Sequence, residues 1–232
     1  MNTTVSVVIP CHNEAESIQN VIKAVPKEVF EIVVVDNNST DATAERAREC
    51  GVRVVTEHRI GYGRALKTGF DAAQGTVIAT LDGDGQYPSD AIMRLVGMLE
   101  DEQLDFLSAS RFPLSNKRSM PKIRQVGNLF LTFLTNVLFN LSILDSQSGM
   151  WAFRRSVLDS IHLESDGMSL SEEIKIRSFL HPSVRCGESY ISYEARSGKS
   201  KLSVMRDGYK NAMYLFSLRQ TLPINHKKCG TS

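Results

Sequence analysis

Two carboxylates separated by one glycine follow an apolar run in the first half of the chain. Asp82, Gly83 and Asp84 come directly after residues 77–81, which read VIATL. Side chains at this spacing can point towards one hard cation, and Mg²⁺ and Mn²⁺ favour oxygen ligands that they often share with substrate phosphates. An acidic turn would have the same composition, but the position at the end of a predicted strand favours a metal site.

A second acidic group follows another apolar run. Asp36 comes after residues 31–35 and opens the polar segment 36–41. An acid at the carboxyl end of a strand can accept a hydrogen bond from a ribose hydroxyl or a base N–H. We therefore expect Asp36 to face a ligand, and Ser39 or Thr40 to cap the helix that follows. The chain lacks the GxGxxG and GxxxxGK[ST] patterns, which disfavours nicotinamide enzymes and P-loop NTPases.

Short apolar runs alternate with amphipathic segments through the first 90 residues. Strands are predicted over residues 5–9, 31–35, 52–55 and 77–81, and helices over 13–25, 41–50 and 64–73. This alternation predicts a parallel sheet with right-handed crossovers, whose ligands bind beyond the carboxyl ends of the strands. The polar segments 10–14, 36–41 and 82–86 would then meet at one edge of the sheet.

The second half is less regular. Helices are predicted over residues 88–100, 155–161, 170–179 and 203–218, strands over 105–110, 151–153 and 188–194, and a basic loop over 117–124. A long helix to about residue 144 carries a broad apolar face made by Phe130, Phe133, Leu134, Val137, Leu138 and Leu141. This face would either pack against the sheet or lie at a bilayer interface beside the basic loop. Polar residues interrupt it too often for a spanning helix.

Composition narrows the class of protein. The chain has 232 residues, of which 42% are hydrophobic, and a net charge of +1, which suits a globular domain and argues against broad binding of nucleic acid. Its four cysteines have no metal-ligand spacing and are typical of reduced thiols in a cytosolic protein. We also expect no signal peptide.

Three motifs occur in a characteristic order, VIPCHNE at residues 8–14, VVVDNNSTD at 33–41 and LDGDGQYP at 81–88. They resemble the signature of family 2 glycosyltransferases. The resemblance implies the GT-A fold, an α/β fold with a mainly parallel central sheet flanked by helices. Within this family, the segments 110–112, 145–153 and 196–202 resemble those of the polyprenyl-phosphate (dolichyl-phosphate) sugar synthases. The resemblance covers roughly residues 5–210.

The resemblance implies an inverting, metal-dependent transfer of a sugar from a UDP- or GDP-sugar to polyprenyl or dolichyl phosphate, with Mg²⁺ or Mn²⁺ on the donor diphosphate. The implied ligands of the nucleotide-sugar are Pro10, His12, Glu14, Asp36, Asn38, Asp82 and Gly83. The implied metal ligands are Asp82, Asp84 and Gln86. The implied ligands of the acceptor phosphate are Arg111, Arg124, Arg196 and Lys201. The implied catalytic residues are Asp84, Asp145 and Arg111.

Departures from the family's pattern in the nucleotide loop and at residue 12 leave the choice between UDP and GDP open. The nucleotide loop often reads Asp-Asp-Gly-Ser, whereas this chain has Asp36, Asn37, Asn38 and Ser39. His12 stands where a tyrosine is common.

A phosphate acceptor affects the expected chemistry. Its second pKa is about 6, so it is largely dianionic at neutral pH and needs no strong base. We expect a single displacement in which arginines position the nucleophile. Asp145 matches the acceptor-side carboxylate, but it could instead orient an arginine. Glu172 and Glu173 are rival carboxylates, although we expect them to lie on a solvated helix face.

Two other functions stay open. A soluble or glycan hydroxyl acceptor would need a general base, and a non-catalytic nucleotide-binding module would need no acceptor. For the enzyme we expect a single domain over residues 1–222, with a nucleotide and metal half to about residue 110, an acceptor half beyond it, and a tail over 223–232. We expect a peripheral position on the cytoplasmic face of a membrane, with a membrane protein or a second copy as a possible partner and no nucleic acid.

Overall fold

The computed structural model describes residues 3–116, 118–195 and 204–222 of the chain. The strands are β1 Val5–Cys11, β2 Glu31–Asp36, β3 Arg53–Thr56, β4 Val77–Thr80, β5 Phe106–Ser110, β6 Trp151–Arg154 and β7 Cys186–Tyr190. The helices are α1 Ile18–Ala24, α2 Thr43–Glu49, α3 Tyr62–Ala72, α4 Ala91–Asp101, α5 Lys122–Phe139, α6 Val157–Ser160, α7 Leu170–Leu180 and α8 Val204–Thr221.

The strands of the described residues form one seven-stranded sheet in the order β3-β2-β1-β4-β6-β5-β7. Strand β1 pairs in parallel with β2 and β4, β2 with β3, and β5 with β7. Only β6 is antiparallel among these described strands, to both β4 and β5. The other six strands therefore run in one direction, and the predicted α/β fold with a mainly parallel sheet is confirmed.

Apolar cores cover both faces of the sheet. On β1, Val7 and Ile9 pack with helices α1 and α4, whereas the intervening Val8 packs with α3 and α7. Because a central strand is buried on both faces, its sequence is a continuous apolar run. A third cluster joins α5, α7 and α8 through Leu131, Phe139, Ile176, Leu215 and Leu218. Helices α5 and α8 thus form a separate layer beside the sheet.

Several predicted boundaries are wrong by a few residues for identifiable reasons. Helix α1 begins at Ile18, because Asn13 has a positive φ of 54° and a turn follows it. Helix α5 begins within the predicted basic loop and ends at Phe139, before Asn140 in the left-handed conformation. Strand β7 lies over Cys186–Tyr190, earlier than predicted, because it pairs with the whole of β5.

The predicted cap of the second helix is also wrong. Ala42 is the N-cap of α2 and makes no side-chain cap bond. The Ser39 hydroxyl instead accepts a hydrogen bond from the Asn13 backbone N–H at 3.0 Å, and Asp41 accepts one from the Thr43 N–H at 3.0 Å. The Ser39 hydroxyl, which the sequence analysis expected to cap α2, thus bonds the loop after β2 to the loop after β1 instead.

Within the part of the chain that the structure describes, none of the helices combines the length and hydropathy that a membrane span requires.

Candidate active site

A cavity of about 320 Å³ lies beyond the carboxyl ends of the strands. Residues that follow β1, β2 and β4 line it, which confirms that these strand ends meet, and helices α5 and α8 supply another part of its wall. The predicted site residues in this wall are Pro10, His12, Glu14, Asp82, Gly83, Asp84, Gln86, Arg111 and Arg124.

Other predicted residues lie outside the lining that the described residues form. Asp36 is buried at the end of β2, where its Oδ1 accepts the Ser39 backbone N–H at 3.3 Å. Asn38 is exposed in the left-handed conformation. Asp145 is fully buried behind Arg111. Two predicted acceptor ligands, Arg196 and Lys201, and the loop residue Lys117 are outside the described residues.

Asn37 builds the part of the wall nearest β2. Its side-chain nitrogen donates to the carbonyls of Glu57 and Arg59 at 3.1 and 2.8 Å, and its Oδ1 accepts the Gly61 N–H at 2.8 Å. These bonds hold the loop that places Ile60 and Gly61 in the cavity. An aspartate could not donate to two carbonyls. The asparagine that departs from the family's pattern therefore fixes a loop.

The two carboxylates after β4 accept hydrogen bonds from different parts of the chain. The Tyr62 hydroxyl donates to Asp82 Oδ1 at 3.0 Å, and the Gln86 backbone N–H donates to Asp84 Oδ1 at 3.0 Å. Burial, followed by the charge of Asp82, raises the pKa of Tyr62 well above its ordinary value, so the hydroxyl stays a donor. A side chain at Gly149 would collide with the Tyr62 hydroxyl.

The residues present fit a metal that is shared with a substrate. Among the described residues, no three or more His, Cys, Asp or Glu groups cluster as a metal site. Mg²⁺ is commonly held by one or two carboxylates together with substrate phosphates and water. Asp82 and Asp84 match that pattern. The side-chain nitrogen of Gln86 donates to the carbonyls of Ser119 and Glu194 at 3.3 and 3.1 Å, so Gln86 joins two loops, and its role as a ligand stays a prediction.

Arg111 is held rigidly by Asp145. Its Nε donates to Oδ2 at 2.7 Å and its Nη2 to Oδ1 at 2.9 Å, while its backbone N–H donates to Oδ2 at 3.1 Å. Burial alone would raise the pKa of Asp145, but the charge and hydrogen bonds of Arg111 outweigh it and hold the pKa below its usual value. The two carboxylate oxygens are thus occupied, and Asp145 orients an arginine instead of facing the cavity.

Helix α7 carries buried charges, and the expectation of a solvated face is wrong. Glu172, Glu173 and Lys175 are all fully buried. Glu173 accepts the Ser165 N–H at 2.8 Å, and the ammonium of Lys175 donates to the Asp145 carbonyl at 2.6 Å. The Asp145 carbonyl lies thirty residues earlier in the chain and Ser165 lies before the helix, so the local pattern SEEIKIR contained no sign of these partners.

Sequence reasoning assigned no site role to several polar residues of the cavity wall. They include Tyr62, Gln147, Asp207 and Asn211. Gln147 lies inside a segment that the sequence had already singled out, so its position was a usable signal. Tyr62 begins α3 and Asn211 lies within α8, where neither the spacing nor the composition distinguished them from ordinary helical residues.

Comparison with known proteins agrees with this geometry. Residues 6–161 match the family model described as Glycosyl transferase family 2. The chain therefore belongs to glycosyl transferase family 2, and it is a glycosyltransferase.

Relatives and solved structures extend the comparison. The chain is 30% identical to the low-salt glycan biosynthesis hexosyltransferase Agl6 of Haloferax volcanii. The match covers 91% of this chain but only 53% of the length of that protein. It is 30% identical to a dolichyl-phosphate hexose transferase of the same organism, over 88% of each chain. A glucosyl-3-phosphoglycerate synthase of Mycobacterium tuberculosis, crystallised with Mn²⁺, UDP and glucosyl-3-phosphoglycerate, shares the fold. Its TM-score is 0.75 at 23% identity, over 96% of this chain and 81% of that one.

Proposed function

We propose that this glycosyltransferase moves a hexosyl or N-acetylhexosaminyl group from a UDP- or GDP-sugar to polyprenyl or dolichyl phosphate. The observation that carries the proposal is one cavity that is lined both by the acidic residues Asp82 and Asp84 and by the basic residues Arg111 and Arg124. The carboxylates suit a cation on a diphosphate, and the arginines suit a second phosphate. The related dolichyl-phosphate hexose transferase supports the same acceptor class.

The donor would lie along the ends of β1, β2 and β4. Pro10, His12 and Glu14 would contact the nucleoside, and the loop held by Asn37 would take the place expected for Asp36 and Asn38. Asp82 and Asp84 would hold Mg²⁺ or Mn²⁺. The cation would offset the negative charge that develops on the departing nucleoside diphosphate.

The acceptor phosphate would enter between Arg111 and Arg124. Since Asp145 fixes the guanidinium of Arg111, that donor is oriented before the acceptor binds and little reorganisation is needed. A phosphate oxygen forms the bond to the anomeric carbon while the bond to the diphosphate breaks, and the electron pair leaves with the nucleoside diphosphate. The phosphate is already ionised, so no side chain has to remove a proton. Arg196 and Lys201 complete the proposed set of phosphate ligands.

A hydroxyl acceptor is the second candidate, because one cavity carboxylate lies on the acceptor side. Asp207 of α8 lines the wall with Arg124 of α5. A carboxylate near a hydroxyl nucleophile can serve as its general base. The acceptor assay therefore has to separate the two activities.

We expect release of nucleoside diphosphate to require both a divalent cation and a polyprenyl phosphate. The purified protein would be incubated with Mg²⁺ or Mn²⁺, a panel of UDP- and GDP-sugars, and a short-chain polyprenyl phosphate. The matched control is the same polyprenol without its phosphate, which offers only a hydroxyl. Release that is equally fast with the polyprenol, or without any lipid, would contradict the phosphate acceptor and favour a hydroxyl or soluble one.

The outward side of α5 supports a membrane position. Ile123, Val126, Phe130, Phe133 and Val137, here called the α5 stripe, recur at spacings of three and four residues and are 57–67% exposed. Leu134 and Leu138 are instead partly buried against the third cluster, which joins α5, α7 and α8. One part of the predicted apolar face therefore packs inside the protein, and the other part is exposed. Basic residues lie beside the stripe, at Arg118, Lys122 and Arg124.

Such a face suits an anionic lipid surface, because apolar side chains can enter the interface while the cations attract the headgroups. We propose that the α5 stripe rests on the cytoplasmic face of the membrane that contains the lipid acceptor. A membrane protein or a second copy of the chain would be the alternative cover.

We expect the double change Phe130→Ser and Phe133→Ser to lower binding to anionic phospholipid vesicles by about tenfold or more, since burying one phenylalanine contributes about 1.5–3 kcal/mol. Vesicle flotation measures the bound fraction. The matched control is Phe30→Ser, which alters a phenylalanine that is 56% exposed outside α5. Equal vesicle binding by the double variant and the wild type would contradict the membrane proposal.

A further inference from the structure

The side-chain amide of Gln147 is bonded on all sides, although it lies in the cavity wall. Its Nε2 donates to the Ser146 hydroxyl at 2.8 Å and to Glu172 Oε1. Its Oε1 accepts a hydrogen bond from the Asn211 side chain at 3.0 Å. Since both N–H groups and the carbonyl are used, the amide has one favoured orientation.

Glu172 lies behind Gln147 and out of contact with water. The residue is fully buried, and burial raises the pKa of its carboxyl to about 8. Within the described residues its second oxygen, Oε2, is buried without a hydrogen-bond partner. An ionised carboxylate in this place would be costly, whereas an un-ionised one accepts the amide N–H of Gln147 at lower cost. Glutamine should therefore replace Glu172 with little change.

Asn211 connects the amide to helix α8. The buried apolar anchors of this helix, Leu215 and Leu218, lie in its C-terminal half. Asn211 is itself buried and lies in the N-terminal half of α8. The same half also supplies Asp207 and Gly208 to the cavity wall. The bond between Asn211 and Gln147 therefore ties the cavity side of α8 to the loop between α5 and β6.

We propose that Glu172, Gln147 and Asn211 act as a positioning relay that holds the first turns of α8 at the acceptor side of the cavity. The inference rests on the proposed function, because it assigns that side to the acceptor phosphate. Asp207 and Gly208 lie in these first turns and line the cavity, so fixing the start of α8 also fixes this part of the cavity wall.

The kinetic test compares acceptor and donor parameters. In Gln147→Ala, Asn211→Ala and Glu172→Ala we expect the KM for polyprenyl phosphate to rise about tenfold, as expected for a lost buried hydrogen bond, with the donor KM and kcat within about twofold. Glu172→Gln keeps the acceptor oxygen and should restore wild-type values. The double variant Glu172→Ala/Asn211→Ala should resemble either single variant, because both break the same relay.

Different outcomes would overturn the relay. A fall in kcat with an unchanged acceptor KM would place Gln147 in the chemistry, and multiplied effects in the double variant would make Glu172 and Asn211 independent. A Glu172→Gln variant as impaired as Glu172→Ala would show that the un-ionised carboxyl is not what matters.

A measurement without substrate separates this inference from the acceptor assignment. Amide hydrogen exchange of residues 204–212 should be faster in Glu172→Ala than in the wild type and should return to the wild-type rate in Glu172→Gln. If the wild type fails to use polyprenyl phosphate while this exchange pattern holds, the proposed acceptor is wrong and the relay is retained. Unchanged exchange in Glu172→Ala would refute the relay even in an enzyme that uses the lipid.

Discussion

Changing Asp84 to asparagine is expected to lower metal-dependent turnover by about 10²- to 10³-fold, since stabilisation of charge on a leaving group is worth several kcal/mol. The substitution removes the negative charge but keeps an oxygen that can accept the Gln86 N–H, which is 3.0 Å from Asp84 Oδ1. The loop should therefore keep its shape, and the loss should come from weakened cation binding. Release of nucleoside diphosphate at increasing Mg²⁺ or Mn²⁺ measures both the rate and the metal requirement.

The control for this change is Asp101→Asn, at the exposed end of α4. It removes the same charge away from the cavity and should leave turnover unaltered. Full activity of the wild type in the presence of EDTA would sink the metal assignment, whatever the effect of the Asp84 variant.

Changing Asp145 to asparagine is expected to lower the free energy of unfolding by about 3–5 kcal/mol, because it leaves the buried Arg111 cation without its counter-charge. Asp145 is fully buried, and its Oδ2 lies 2.7 Å from Nε of Arg111. Denaturant unfolding followed by circular dichroism measures the change. Loss of activity in this variant would not identify a general base, since the guanidinium in the cavity wall would be released at the same time.

The pair also predicts a pH dependence. The folded-state pKa of Asp145 lies below the ordinary value of 3.8, so its contribution to stability is present above about pH 4. It is lost as the pH falls further, through the lower folded-state pKa. The wild type should therefore lose more stability than Asp145→Asn between pH 4 and acid unfolding. Parallel curves for the two proteins would contradict the assignment.

Asp166→Asn is the matched control for the ion pair. Asp166 is 57% exposed and lies 2.7 Å from the ammonium of Lys67. An exposed pair of this kind contributes about 0–1 kcal/mol, so this variant should unfold close to the wild type. The contrast tests whether burial gives the Asp145 pair its effect.

The sequence by itself determined the sheet and one side of the site. The apolar runs at residues 5–9, 31–35 and 77–81 end in polar segments, and parallel strands must bring those ends to one edge. The structure confirms this, and the cavity contains Pro10, His12, Glu14, Asp82 and Asp84. The local sequence was sufficient here because the apolar run of each buried strand and the polar residues at its end are adjacent in the chain.

Only the tertiary structure decided the roles of the buried charges. SEEIKIR on α7 has the composition of a solvated face, yet Glu172 and Lys175 are buried because their partners, Gln147 and the Asp145 carbonyl, come from a loop more than twenty residues earlier. The long apolar helix was equally ambiguous, since its residues are divided between the contact with α8 and the exposed α5 stripe. Burial of a charge or a helix face depends on which distant groups pack against it, and no local period contains that information.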